Sequence, residues 1–268
     1  MNSAWLLAHE GSIRLGAFVS VLIVVALIER RWPARSDAGG ARRTLTNASL
    51  VVIGSLLLRV AFPVLAVGLA SRVHAQAGGL FGALHWPATL EIVLAIVLLD
   101  LAIYWQHRLF HVIPVLWRMH RVHHCDVAFD VTTGVRFHPF EIAASMALKL
   151  ALVALLGPDP VAVIAFELLL SLGSLITHGN YAFSTAIDRR IRWLLVTPSM
   201  HRIHHSVRRE ETDSNYGFHL SIWDRLFASY RAQPHSPERE MAIGLDAFRE
   251  PSAQRLPALL AQPFKPQR

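Results

Sequence analysis

Residues 138–178 read HPFEIAASMALKLALVALLGPDPVAVIAFELLLSLGSLITH. Two apolar stretches, 139–156 and 160–178, flank Gly157-Pro158-Asp159-Pro160. Each is about long enough to cross the hydrocarbon of a bilayer. The Gly and Pro residues of the joint are strong turn chemistry, and a proline does not continue the helix before it. The segment therefore predicts a tight antiparallel hairpin of two spanning helices. Counted from Pro158, His138 and His178 are equidistant, and so are Lys149 and Glu167. Equal rise along two antiparallel helices brings each pair to one depth. Lys149 and Glu167 are expected to pair inside the membrane, where either charge alone is costly.

Working outward, residues 12–29, 44–70 and 89–106 give three more apolar stretches, the second interrupted by Arg59 and Pro63. About five spans make an all-α integral membrane bundle. The 268 residues are 53% hydrophobic and 17% charged, with a mean hydropathy of +0.37. That excludes a disordered chain and a collagen repeat, and it argues against an ordinary soluble domain. The single cysteine, Cys125, excludes a disulfide framework.

All but Lys149 and Lys265 of the 26 basic residues are arginine. They flank the apolar runs and form no stripe with interleaved aromatics, so no nucleic-acid partner is expected. The first run carries its charge behind it, at Arg30, Arg31 and Arg35, which reads as a retained helix and not a cleaved leader. Arg42 and Arg43 follow. The loop after the second span carries only Arg72, whereas Arg108, Arg118, Arg121 and Arg136 follow the third, and the chain after the fifth is strongly basic. These counts predict a multi-pass protein with its N-terminus outside and its basic segments cytoplasmic. His9, His74 and His85 fall on the other side. Residues 186–196 (AIDRRIRWLLV) suit a helix lying at the interface. The Pro-rich tail from Gln233 reads as loosely ordered. The chain thus divides into N-terminal spans and loops (1–88), a unit of spans plus helical cap (89–232), and a tail (233–268).

Fifteen histidines are many for this length. The clusters are His107-Arg-Leu-Phe-His111, His120-Arg-Val-His123-His124 and His201-Arg-Ile-His204-His205. Residues three and four apart share a helix face, so each cluster is expected to present its rings together, towards one chamber. His138 and His178 join them as candidates, at the same end of the spans. So many imidazoles exceed the three or four protein ligands of one zinc ion, and the count implies two metals. Imidazole suits iron, zinc, copper and nickel alike. Polar residues at helical spacing approach the chamber, and some of Asp100, Glu141 and Glu167 are expected to bond the outer N–H of a ligand histidine. Asp126 and Asp130 are further candidates to offset the metal charge. His9, His74, His85 and His235 read as ordinary surface or core residues. Trp105, Trp117, Trp193 and Trp223 read as interface anchors.

The same clusters, with Arg136-Phe-His138-Pro-Phe-Glu141, His178-Gly-Asn180, Asn215-Tyr-Gly217 and Trp223-Asp-Arg-Leu-Phe227, resemble the fatty acid hydroxylase/sterol desaturase superfamily over residues 90–231. Phe227-Ala-Ser-Tyr230 stands where that family usually has Phe-Gly-Thr-Tyr. The resemblance implies a membrane oxidoreductase with two iron ions, or zinc as a substitute, using O2 to hydroxylate or desaturate an unactivated C–H of a lipid. It implies metal-ligating, catalytic roles for His107, His111, His120, His123, His124, His178, His201, His204 and His205. His138 stays a candidate ligand beside them. The unit 89–232 would then be the catalytic domain. No GxGxxG nucleotide fingerprint or haem domain is evident, so electrons are expected from an external reductase, ferredoxin or cytochrome b5-like carrier. The alternative is a dizinc membrane hydrolase acting on a lipid ester or phosphate. The absence of an HExxH word and of a carboxylate within the clusters counts against it.

Overall fold

The computed structural model describes residues 3–36, 39–84 and 86–266, so His85 lies outside the described residues. Among them the chain is all helical, apart from isolated antiparallel bridges joining Leu195 to Leu220 and Ser206 to Ile243. Five segments are long and apolar enough to cross a membrane: Ser3–Arg31, Ala41–Leu84, Ala88–Val112, Pro139–Leu156 and Pro160–Thr177.

The first is one helix, α1 (Ser3–Arg31). The second is broken into α2 (Ala41–Ala61), α3 (Ala66–Ala75) and α4 (Gly79–Leu84). The break follows from Pro63, which pushes Phe62 into extended backbone at φ −124°. The third is α5 (Ala88–Val112), continued after an extended Ile113 by α6 (Pro114–His124), with Pro114 in the first turn of α6. The last two are α7 (Pro139–Leu156) and α8 (Pro160–Thr177).

The turn between α7 and α8 is as short as its sequence implies. Gly157 closes α7 in the left-handed region at φ +64°, and Gly78 and Gly79 press on it too closely for a side chain. Asp159 caps α8 by accepting from the Val161 N–H at 2.7 Å. Beyond the turn the hairpin is not tight. The two helices do not pack against each other along their length; α3 packs against both, with α2 on α7 and α1 and α5 on α8. Lys149 Nζ nevertheless reaches Glu167 Oε1 at 2.6 Å. A third partner arrives from α1, where Arg14 meets Glu167 Oε2 at 2.7 Å and Glu10 at 3.2 Å.

Alternating helix directions gather one set of termini near the histidines. Glu29 at the end of α1 accepts from the Val131 and Asn180 N–H groups. Arg43 at the start of α2 grips Asp126 with two 2.7 Å bonds and Asp130 with one of 2.5 Å. The opposite end holds the Gly79–Gly157 contact and the bond from the Asp159 N–H to Glu91 at 2.8 Å. At the histidine end a cap of α6 and short helices covers the bundle: α9 (Thr185–Ile191), α10 (Pro198–His204), α11 (Arg209–Thr212), α12 (Ile222–Leu226) and α13 (Leu256–Ala261).

Two expectations change here. Some of the arginines counted for orientation are not at a surface: Arg121, Arg136 and Arg202 are fully buried. Arg136 donates to the Val122 carbonyl, Asn47 and Gln254, and so ties three segments together. The tail is also part of the core. Leu245 and Leu259 bury against Leu50, Val122 and Cys125, and Arg121 donates to the Gln262 and Lys265 carbonyls. Proline and polar residues hid this anchoring because the buried residues are sparse and lie outside any regular period. Leu259→Ala should cost about 2–5 kcal/mol, as for a fully buried leucine. Thermal unfolding in detergent measures it, and an unchanged melting temperature would return the tail to the loosely ordered class.

Candidate metal centre

The end of α5 carries His107 and His111. The last turn of α6 carries His120, His123 and His124, α8 stops at His178, and α10 carries His201 and His204 with His205 just beyond it. All are buried. They fall into two groups, each with one ligating nitrogen per residue and all such nitrogens within 4.8 Å of one another. His107, His111, His120, His124 and His204 form one; His123, His178, His201 and His205 form the other.

Each HxxHH word is therefore divided between the groups. In α6 the pair four apart, His120 and His124, enters the first group and His123 the second. In α10 the roles reverse: His201 and His205 enter the second group and His204 the first. The two groups touch, with the His124 and His205 rings stacked at 4.6 Å between centroids. The words still face one chamber, as expected, since the groups touch; the division refines this by splitting the aim of each word between them. Residues three and four apart share a face only loosely, and the angle between them is enough to aim at two neighbouring points.

Ring orientation is set from outside. His107 Nδ1 bonds the Tyr216 carbonyl at 2.8 Å, His178 Nδ1 the Ser174 carbonyl at 2.7 Å, and His204 Nδ1 the Ser214 carbonyl at 2.7 Å. His120 Nδ1 bonds Glu141 Oε1 at 2.7 Å. Each bond places the ring proton on the outer nitrogen and turns Nε2 inward as a lone pair. The inner nitrogens crowd: His178 Nε2 lies 3.0 Å from His201 Nε2 and 3.2 Å from His123 Nε2, and His120 Nε2 lies 3.1 Å from His124 Nε2. About 3 Å is the edge between two nitrogens at right angles on one ion at a bond length of about 2.1 Å.

The donor chemistry fits a metal. Both ring nitrogens of His111 and His205, and the inward Nε2 of His204, are buried without a hydrogen-bond partner. Buried polar atoms are nearly always satisfied, and so dense a set of orphans on ligand-type atoms is what an ion relieves. Burial, reinforced by repulsion among the rings, holds His123, His124, His201 and His205 well below the ordinary imidazole range. Burial brings His178 to about 4 and His204 to about 3. These six rings are neutral at neutral pH, the form that ligates.

His138 is the exception among the candidate ligands. It belongs to neither group. Its Nδ1 accepts from the Phe140 N–H as the cap of α7, and its Nε2 bonds the Leu260 carbonyl at 3.2 Å. Both nitrogens are engaged, so its role is to start α7 and hold the tail. Of the three carboxylates expected behind ligands, only Glu141 meets a histidine of the groups. Asp100 takes His219 Nδ1 at 2.7 Å and the Trp223 indole N–H at 2.8 Å, and Glu167 holds Lys149 and Arg14. Asp126 and Asp130 serve Arg43, and the former stays ionised because Arg136 and Arg43 outweigh its burial. Trp117 lies tilted against the His111 and His124 rings, with centroids at 5.1 and 5.6 Å, and is part of the cap.

Sequence reasoning missed the loop Ser214–Gly217. Its carbonyls hold His204 and His107. Asn215 stands at φ +52°, a left-handed position that asparagine tolerates better than most residues, and its amide donates to the Met200 and Arg231 carbonyls. Asp224 accepts from the Tyr216 and Gly217 N–H groups at 2.7 and 2.8 Å. Asn215-Tyr-Gly217 and Asp224 were legible as motifs, but their backbone carbonyl work has no side-chain signature.

A family model for fatty acid hydroxylase matches residues 92–229. The chain is 30% identical over 261 residues to ornithine lipid hydroxylase OlsE of Rhizobium tropici, an overlap covering 92% of this chain and 74% of the relative. It is 29% identical over 232 residues to alkylglycerol monooxygenase of Xenopus tropicalis, covering 84% and 47% respectively. It is 28% identical over 182 residues to Delta(7)-sterol 5(6)-desaturase of Leptosphaeria maculans, covering 64% and 48%. The chain thus spans three quarters of the first relative and about half of the other two. No solved structure matches it.

Two outcomes are expected of this site. Glu141→Gln, which removes the charge behind His120, should weaken metal retention about 10–100-fold in competition with a chelator; unchanged retention would show that the contact tunes nothing. Metal-free protein should also lose stability as pH falls. An unfolded histidine titrates near 6.5, whereas His178 and His204 titrate near 4 and 3. Below about 6.5 the unfolded chain binds more protons, so stability drops as acid is added towards those folded values. A melting temperature flat across that window would contradict the burial of the rings.

Proposed function

The chain belongs to the fatty acid hydroxylase family, and from that premise we propose that it is a membrane oxidoreductase that uses O2 to hydroxylate or desaturate an unactivated C–H position of a lipid. In this reading His107, His111, His120, His124 and His204 hold one iron ion, and His123, His178, His201 and His205 hold a second, with zinc able to occupy the same nitrogens. The ions supply the one-electron chemistry with O2 that alkyl C–H cleavage requires and that no side chain here provides.

The observation that carries the reading is a cavity of about 300 Å³. It begins at imidazoles of both groups, His107 and His120 of the first with His123, His178 and His201 of the second, and runs between α7 and α8 into the bundle. Much of its wall is apolar, including Phe18, Ile103, Phe110, Ile142, Met146 and Phe218. The splay of α7 from α8 makes this space, and its position among spanning helices suits a substrate entering from lipid. Apolar walls keep water from the reacting carbon. Glu141 keeps the outer proton of His120 in place, and the Tyr216, Ser174 and Ser214 carbonyls do the same for His107, His178 and His204. The arginine-rich end is cytoplasmic in this reading and receives electrons from an external reductase, ferredoxin or cytochrome b5-like donor.

Membranes containing the protein, supplied with reductant and donor, should yield a lipid with one oxygen gained or two hydrogens lost, detected by mass spectrometry. The product should vanish without O2, and His204→Ala should abolish it while the protein still inserts. Lipid turnover that persists without O2 and reductant would favour the dizinc hydrolase instead.

A further inference from the structure

The cavity that meets the imidazoles is not uniformly apolar. Glu141, Ser145 and Lys149 stand four residues apart on α7, one turn above another, and all three line it. Glu141 is committed to His120. Ser145 Oγ accepts from Gln106 Nε2 at 3.1 Å, and the other amide atom, Gln106 Oε1, is buried without a partner. Lys149 is 8% exposed. Its ammonium has three donors, and among the described residues it meets one acceptor, Glu167. Arg14 answers the second oxygen of Glu167, and Glu10 answers Arg14. Two carboxylates thus balance two cations. At the level of this balanced quartet the cavity offers a ligand unused hydrogen-bonding capacity, a donor at Lys149 and an acceptor at Gln106.

Resting on the lipid oxidation proposed above, we infer that Lys149 and Gln106 form a polar anchor for the substrate. Lys149 donates a hydrogen bond to a lipid oxygen, and Gln106 Oε1 accepts a hydrogen bond from an O–H or N–H of the same group. The chemistry that satisfies both is a hydroxyl or a secondary amide set within the apolar part of the molecule. A plain hydrocarbon chain leaves both unsatisfied, which costs binding in a dry site. Along α7, Ser145 is one turn and Lys149 two turns from Glu141, so the anchored group sits about 6–12 Å from the imidazole layer. The anchor therefore fixes which carbon is oxidised by its distance from that group.

The test measures binding without turnover, on the metal-loaded full chain in nanodiscs, by native mass spectrometry. The probes are cetyl alcohol, N-methylpalmitamide, hexadecyl methyl ether and hexadecane. Wild type should bind the three oxygen-bearing probes about tenfold or more better than hexadecane. Lys149→Met should erase most of that preference while leaving hexadecane unchanged; Arg14 still pairs with Glu167 in this variant, so that carboxylate is not left without a partner. Gln106→Leu should weaken the alcohol and the amide, which donate, and spare the ether, which does not; it also tests the anchor if Lys149→Met fails to fold. The better of alcohol and amide identifies the group. A wild type without preference, or a preference that survives Lys149→Met, overturns the anchor. Anchored binding with no lipid oxidised would instead remove the oxidation and leave the anchor standing.

Discussion

The site depends on hydrogen bonds that lie outside it. A neutral imidazole has one donor and one acceptor nitrogen, and nothing in the ring decides which faces in. Here Tyr216, Ser174 and Ser214 carbonyls and the Glu141 carboxylate fix the proton on the outer nitrogen of four rings. Each acceptor belongs to a different stretch of chain from the ring it holds, except Ser174, which is one helical turn before His178. The interior of the cap is consequently a layer of inward lone pairs, and the rest of the fold keeps that layer dry and aligned.

Alignment is enforced by buried charge as well as by apolar packing. Arg43 joins the start of α2 to Asp126 and Asp130 just after the α6 histidines. Arg136 joins the carbonyl end of α6 to α2 and the tail, and Arg202 reaches the Gly179 and Tyr181 carbonyls beside His178. Breaking a buried pair by removing one partner leaves an uncompensated charge and costs about 3–5 kcal/mol. Inside the histidine words, Arg121 holds the Gln262 and Lys265 carbonyls and Arg202 those of Gly179 and Tyr181, so the histidines face in while these two arginines fasten the back of the same helices.

Much of this was legible in the chain. Apolar runs gave the spans, Gly157 to Pro160 gave the turn, and equal distances from it gave the Lys149–Glu167 pair. The histidine words gave the site. What could not be read was anything requiring a third body. Arg14 joins the ion pair because α1 happens to lie on α8, and no spacing relates residue 14 to residue 167. The α7–α8 hairpin opens because α3 packs on both, which a two-helix pattern does not contain. Arginine in the sequence signalled a membrane side, yet Arg121, Arg136 and Arg202 are interior, because one charge pattern serves both orientation and burial. His138 looked like a ligand by type and place, but a cap position decided its hydrogen bonds first.

Dividing each HxxHH word between two clusters ties their fates together. A slight turn of α6 that improves the aim of His120 and His124 worsens that of His123, and α10 obeys the mirror rule. Neither cluster can be retuned, enlarged or discarded alone by changes in those helices, and a one-residue insertion in either scrambles both. Such a chain has room to change where this linkage is slack, in the walls of its cavity and in its loops, while the twin heart can only be kept or lost whole.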